Sequence, residues 1–261
     1  MNLSVPLRSL RRYATLSRSL GLLADFKYEQ TDPARFYGHL ADDTVELLTR
    51  IWQDCQGSAG DSHSALAGRT VLDVGGGPGY FARAFADAGV DYVSVEPDVG
   101  EMSAAGIELE SSVRGSGLDL PFRTGSFDLV YSSNVAEHVP LPWRMAEEML
   151  RVTKPGGLAI ISYTCWYGPF GGHEMGRTHY LGGHRAARMY TKKHGHRPKN
   201  LYGESLFKVG TAEGLRWAKN TSAGTLVADF PRYHPWWAWW INRVPVLREL
   251  GTSNLVLVMR R

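Results

Sequence analysis

Apolar residues first gather at helical spacing after Asp32-Pro33, where Phe36, Leu40, Val45, Leu48 and Ile51 return roughly once per turn. Asp32 as the capping residue and Pro33 at the first helical position supply the start signal, so a helix is predicted there. A linker rich in Gly, Ser, Ala and His follows (QGSAGDSHSALAG), and then the pattern changes. TVLDV (70–74), YVSVE (92–96), FDLVYS (127–132) and LAIISYT (158–164) are short β-branched or apolar runs bounded by Gly, Pro or Asp, and they read as buried strands. Helical stretches lie between them at Tyr80–Ala88, Val99–Leu109 and Pro142–Val152, the last closed by Lys154-Pro155-Gly156-Gly157. Strand and helix in strict alternation predict an α/β fold with a mostly parallel, doubly wound sheet and helices on both faces. A helix over 212–218, a second over Val244–Leu250 and the apolar runs TLVADF (225–230) and NLVLVM (254–259) are expected to complete it.

At 261 residues and 43% hydrophobic, the chain suffices for one full core, and a single domain over 1–261 is expected. Its parts divide into an N-terminal helical extension (1–56), a central unit (69–165), an insertion (166–207) and a closing segment (208–261). Cys55 and Cys165 stand alone, which excludes a disulfide framework and a four-cysteine zinc site and fits a reducing, cytoplasmic setting. The basic, Ser-rich N-terminus lacks the apolar run of a signal peptide, and nothing approaches the ~20 apolar residues of a spanning helix. Charge is uneven beneath the net +3: residues 31–164 carry nine Lys/Arg against nineteen Asp/Glu, and residues 165–220 carry ten against three. An acidic body with basic appendages suits an anionic partner or surface, peripheral contact with the inner face of a membrane included. Ordinary solvated charge is the bland alternative.

Val71-Leu72-Asp73-Val74-Gly75-Gly76-Gly77-Pro78-Gly79 is a strand running into a glycine-rich turn with a helix directly after. Glycine opens the backbone angles of a tight turn and lets a ligand lie against bare backbone, so a cofactor is expected here. Gly77-Pro78-Gly79-Tyr80-Phe81-Ala82 also satisfies a dinucleotide fingerprint, which keeps an NAD(P)-dependent oxidoreductase in view. Against it stands Asp73 inside the strand, because a carboxylate suits the ammonium of an amino-acid-bearing cofactor and gains nothing from a pyrophosphate. Together with VEPD, LPFRTGSFDLVYSSNVAEHV and EMLRVTKPGGLAIIS, the turn resembles the class I S-adenosylmethionine-dependent methyltransferases of the type 11 kind over about residues 69–165. Uncharacterised actinobacterial members, mycobacterial ones especially, are the most similar, and that likeness extends into the tail.

The resemblance implies a Rossmann-like sheet of seven strands and S-adenosyl-L-methionine as cofactor. By position it assigns Asp73, Gly75 and Gly77 to the methionine half, Glu96 to the ribose, and Pro97 and Asp98 to the side of the adenine. Asn134 would face the methionine end. Relatives commonly read G-D-A before L-P-F; this chain has Gly115-Ser116-Gly117 before Leu118-Asp119-Leu120-Pro121-Phe122, so either Ser116 or backbone near Gly117 and Leu118 holds the base.

Methyl transfer needs alignment of two ligands and sometimes a base. His138 is one candidate base and His173 the other; packing of His138 against its own loop is the alternative. No [DNS]-P-P-[YF] motif follows the fourth strand and neither cysteine follows a proline, so nucleic acid is not the expected substrate. The insertion from Trp166 to Phe207 holds five of nine histidines and follows a strand's carboxyl end, where inserted chain overhangs the ligand crevice. It reads as the acceptor lid, with Trp166, Tyr167, His173, Glu174, His179 and Tyr180 as acceptor-binding residues. His173, Glu174, His179 and His184 do not follow H-E-x-x-H, and no metal is expected from them. Residues 230–241 hold half of the eight tryptophans beside Arg232, a composition suited to a membrane interface, to sugar stacking, or to core closure. The basic N-terminus, with Arg8, Arg11, Arg12 and Arg18 among leucines, points the same way. The expected reaction is methyl transfer to an oxygen of a small amphiphilic, lipid or glycolipid acceptor; the rivals are the oxidoreductase and a cofactor-binding protein without turnover.

Overall fold

The computed structural model describes residues 5–28, 31–57, 65–98, 100, 102 and 111–261. The helix expected over 99–109 and the middle of the expected linker lie largely outside the described residues. Three helices come first: α1 (Arg8–Tyr13), α2 (Leu16–Asp25) and α3 (Pro33–Gln56). Asp32 caps α3 by accepting the Arg35 N–H at 3.3 Å, and Gly57 ends it at φ +68°. The core then alternates β1 (Thr70–Val74), α4 (Tyr80–Asp87), β2 (Asp91–Glu96), β3 (Ser112–Arg114), β4 (Phe127–Ser133), α5 (Pro142–Val152) and β5 (Thr153–Thr164). After the insertion with its helix α6 (Gly183–His194) come α7 (Thr211–Asn220), β6 (Thr225–Pro231), α8 (Leu247–Gly251) and β7 (Asn254–Arg260).

The seven strands form one sheet in the order β3-β2-β1-β4-β5-β7-β6. Neighbours from β3 to β5 pair in parallel, and β7 runs antiparallel between β5 and β6. Period-two alternation sends Leu158 and Ile160 of β5 to one face, under α1, α3 and α4, and Ala159, Ile161 and Tyr163 to the other, under α5 and α7. Leu48 and Ile51 of α3 are fully buried on the first face, each worth about 1.5–3 kcal/mol of apolar burial. Lys154-Pro155-Gly156-Gly157, expected to stop a helix, instead sits inside β5 where the register with β4 shifts between Phe127 and Leu129. Strand order reverses between β1 and β4, so the loops leaving their carboxyl ends diverge and open a crevice there.

Candidate active site

The crevice is a cavity of about 830 Å³, within the ordinary range for a small-molecule site. One wall is the turn after β1. Gly75, Gly77 and Gly79 adopt φ of +86°, +53° and +87°, and the Gly75 N–H donates to the Val95 carbonyl at 2.8 Å, binding the turn to β2. A Cβ on Gly76 would come within 2.7 Å of Ser94, whereas one on Gly77 would meet nothing within 4 Å. Gly76 is therefore glycine for packing, and Gly77 turns its bare backbone to the cavity. Glu96 at the end of β2 accepts the Gly77 N–H at 3.3 Å and the Asp98 N–H at 3.1 Å, which aims its carboxylate beside the turn.

Gly75, Gly77, Glu96, Pro97, Asp98, Ser116, Gly117, Leu118 and Asn134 all line this cavity. Asp73 does not. It is 3% exposed behind the turn, where Oδ2 accepts both the Tyr131 hydroxyl at 2.5 Å and the Tyr92 hydroxyl at 2.8 Å. Burial pushes its carboxyl up to about 6 although both tyrosines pull it down. Asp73 was expected beside an ammonium; here it lies behind the turn, hydrogen-bonded to the two tyrosine hydroxyls. Tyr92 and Tyr131 read from sequence only as strand residues, and nothing local marked them as its partners. Ser116 Oγ accepts the Leu118 N–H at 3.2 Å, so the loop replacing G-D-A is held by its own serine.

The opposite end of the cavity is formed where β4, β5 and β7 stop. Asn134 sits at φ +57° with its Oδ1 accepting from Asn254 Nδ2 at 2.8 Å and Thr164 Oγ1 at 3.3 Å. Ser162 Oγ in turn donates to Asn254 Oδ1 at 2.8 Å, a buried relay across three strands. Two residues further on, Ala136–His138 form a 3-10 turn. The His138 Nδ1 lies 2.6 Å from the Ser205 carbonyl, and since a carbonyl only accepts, the proton is on Nδ1 and Nε2 offers a lone pair. One ring nitrogen of His138 thus ties the lid, and the residue lines the cavity. His173 joins it, with ring centroids 5.0 Å apart, at φ +47°. Burial and neighbouring His138 push His173 down to about 4, so it is neutral at physiological pH.

Of the six expected acceptor residues only His173 lines the cavity. Trp166 and Met175 build a small core of the lid's own with Ala186, Ala187 and Leu206. Tyr167 takes the Lys208 ammonium over its ring and receives the Tyr180 hydroxyl on its carbonyl at 3.1 Å. Glu174 is engaged by the Asn200 N–H and side-chain amide at 2.6 and 3.0 Å, and His179 is buried with Nδ1 on the Gly176 carbonyl at 2.7 Å. Trp166 and His179 are buried and hold the lid's shape, while Tyr180 stays 46% exposed. The lid's contributions to the cavity are instead Phe170, His173, Lys199, Asn200 and Ser205, joined by Phe26, Phe36 and Tyr233 from distant parts of the chain. No helix among the described residues is long and apolar enough to cross a membrane.

The test of fit for S-adenosylmethionine rests on three features: bare Gly77 backbone, a carboxylate fixed at the second strand's end, and a polar pocket at Asn134. A ligand with an adenosine moiety at one end and an amino acid at the other matches them. The sheet order and this crevice define a class I methyltransferase. A family model for a methyltransferase domain matches residues 72–161. An uncharacterized methyltransferase of Mycobacteroides abscessus is 63% identical over 254 residues, covering 95% of each chain, and one of Mycobacterium marinum is 62% identical over 252 residues, covering 95% and 96%. A solved S-adenosylmethionine-dependent methyltransferase of Thermotoga maritima, a possible histamine N-methyltransferase, shares the fold at a TM-score of 0.51 and 16% identity, covering 90% of this chain and 94% of that one. The chain belongs to this family of S-adenosylmethionine-dependent methyltransferases, which sets aside the dinucleotide reading of its glycine turn.

Proposed function

We propose that the enzyme methylates an oxygen of an amphiphilic acceptor, a lipid or lipid-linked sugar, drawn from a membrane surface. The observation that carries this is the polarity of the acceptor end of the cavity. The lining combines a polar side, with Asn134, Thr164, His138 and His173, and an aromatic cluster in which Phe26 meets Phe36, Phe170 and Tyr233, the last also reaching Asn134. Phe26 stacks on Phe170 at 5.1 Å, and the apolar lining continues into a small cleft bounded by Leu22 of α2. A hydroxyl headgroup suits the first side and an acyl or prenyl tail the second.

The rim supports the same source. Trp236, Trp237 and Trp240 are 47–57% exposed, as are Leu16 and Leu20 of α2 at 51% and 58%. The Trp236 N–H donates to the Ala14 carbonyl at 2.8 Å, which brings the tryptophan turn against the start of α2. Core closure, the bland reading of these rings, applies to Trp239 alone, which stacks on Phe230 at 4.6 Å. Exposed tryptophan beside exposed leucine suits the boundary between headgroups and acyl chains.

When bound, S-adenosylmethionine supplies an electrophilic methyl group on a sulfonium. The His138 Nε2 is the acceptor for a hydroxyl proton, and its orientation is fixed from behind by Ser205. The chain's remaining task is alignment, which the asparagine relay at 134 and the lid provide. Nucleic acid is not proposed. Incubating the protein with methyl-labelled donor and a mycobacterial cell extract, then separating organic from aqueous phases, tests this: label should enter the organic phase, and label confined to water-soluble metabolites contradicts it.

A further inference from the structure

We infer that Glu137, His138 and His173 form a site for a divalent transition-metal ion that clasps the lid to the sheet. Each offers one ligand atom, and these atoms lie within 4.8 Å of one another. Glu137 is 1% exposed; its Oε1 accepts the Thr164 N–H at 3.0 Å, while its Oε2 is fully buried with no hydrogen-bond partner among the described residues. The Nε2 of His173 is likewise buried and unpartnered. An unpaired carboxylate oxygen beside an unpaired imidazole nitrogen is costly in a protein interior, since each forfeits its water without replacement. A cation between them removes both costs at once.

The donor set narrows the ion. Two imidazoles and one carboxylate suit zinc, manganese or iron(II) better than calcium or magnesium, which prefer oxygen. Three protein ligands leave at least one coordination position, as in catalytic rather than structural sites. The Ser205 carbonyl holds the His138 proton on Nδ1 and so presents Nε2, the outer-shell arrangement that orients a metal-binding imidazole. The lid's own His173, Glu174, His179 and His184 lack a metal-binding spacing. The structure takes His173 alone from that set and pairs it with two residues of the body.

The site adjoins the end of the cavity assigned to the acceptor, and its role rests on that reading: with the ion bound, His138 Nε2 is a ligand and no longer the proton acceptor it is in the metal-free protein, and an acceptor hydroxyl on the open position is instead made easier to deprotonate, as metal-bound water is. Binding itself is tested without any acceptor. The metal-stripped full chain is titrated with cobalt(II), following visible absorption and melting temperature, and zinc is then added in competition. Wild type should take up one equivalent with a ligand-field band, melt higher, and lose the band to zinc. His173→Asn is the chosen variant because asparagine tolerates the +47° φ and the His173 Nε2 has no hydrogen bond to lose. It should bind the ion at least about tenfold more weakly while binding S-adenosylhomocysteine as wild type does. A wild type that retains no ion, or a variant that retains it equally, overturns the site. Methylation at nitrogen by an enzyme that still binds the ion would instead remove the oxygen-acceptor reading and leave the site standing.

Discussion

Asp73 shows how a single residue is assigned one role by pattern and another by packing. Because burial raises its carboxyl to about 6, the charged form is disfavoured by the fold. The stability it contributes is fully present below its ordinary value near 3.8 and is lost as pH rises through about 6. Asp73→Asn keeps an acceptor oxygen for Tyr92 and Tyr131 and removes the titration. Between about pH 4 and pH 8 the variant should therefore gain on the order of 2–3 kcal/mol relative to wild type in denaturant unfolding. A difference that does not change with pH would show that the carboxyl is not desolvated as the structure has it. Glu96 is the contrasting case, since its position at the end of β2 was enough to place it at the cavity, and the structure adds two N–H groups that aim it.

At the scale of elements, the N-terminal helices are tied to the catalytic sheet by a buried ion cluster. Arg18 of α2 donates to Asp43 of α3 at 2.6 and 2.9 Å, and Arg232 after β6 reaches Thr44 at 2.6 Å and Ser133 of β4 at 2.7 Å. Burial alone would raise the Asp43 carboxyl, but Arg18 and Arg232 outweigh it and hold it below the ordinary carboxylate range. Asp43→Asn leaves two buried guanidinium groups under-compensated and should cost about 3–5 kcal/mol in urea unfolding. A loss under about 1 kcal/mol would mean that water reaches the cluster. The elements themselves were largely legible: β1 and α5 fall where their apolar patterns put them, because buried strands and amphipathic helices repeat a local rule. β3 was missed since Ser112–Arg114 is three residues long and gains its order from pairing with β2. The lid gave only its place. Its rings were sorted by composition, and composition does not tell a ring that fills the lid's own core from one that faces a ligand. Phe26, Phe36 and Tyr233 meet at the cavity from three separate segments, a conjunction no local pattern announces.

For the whole molecule, the uneven charge and the exposed aromatic rim bear on where the enzyme works. Trp237 and Trp240 are the most exposed tryptophans and are not part of either main core. Replacing both with serine should leave cofactor affinity and folding intact and weaken binding to anionic phospholipid vesicles, read by co-flotation, by about thirtyfold, each interfacial ring contributing on the order of 1 kcal/mol. Flotation equal to wild type would place the acceptor's source in solution. The same geometry explains why the family relationship alone does not name the acceptor: part of the cavity lining comes from the ends of the sheet, and the rest from Phe26, α3, the lid and Tyr233.

The most direct test of the account is the chemical identity of the product. Donor carrying a carbon-13 methyl group, turned over with the lipid fraction, gives a methyl resonance whose shift reports the atom to which it is attached. The account predicts a methyl bound to oxygen in an organic-soluble molecule; a methyl bound to nitrogen, sulfur or carbon would contradict it.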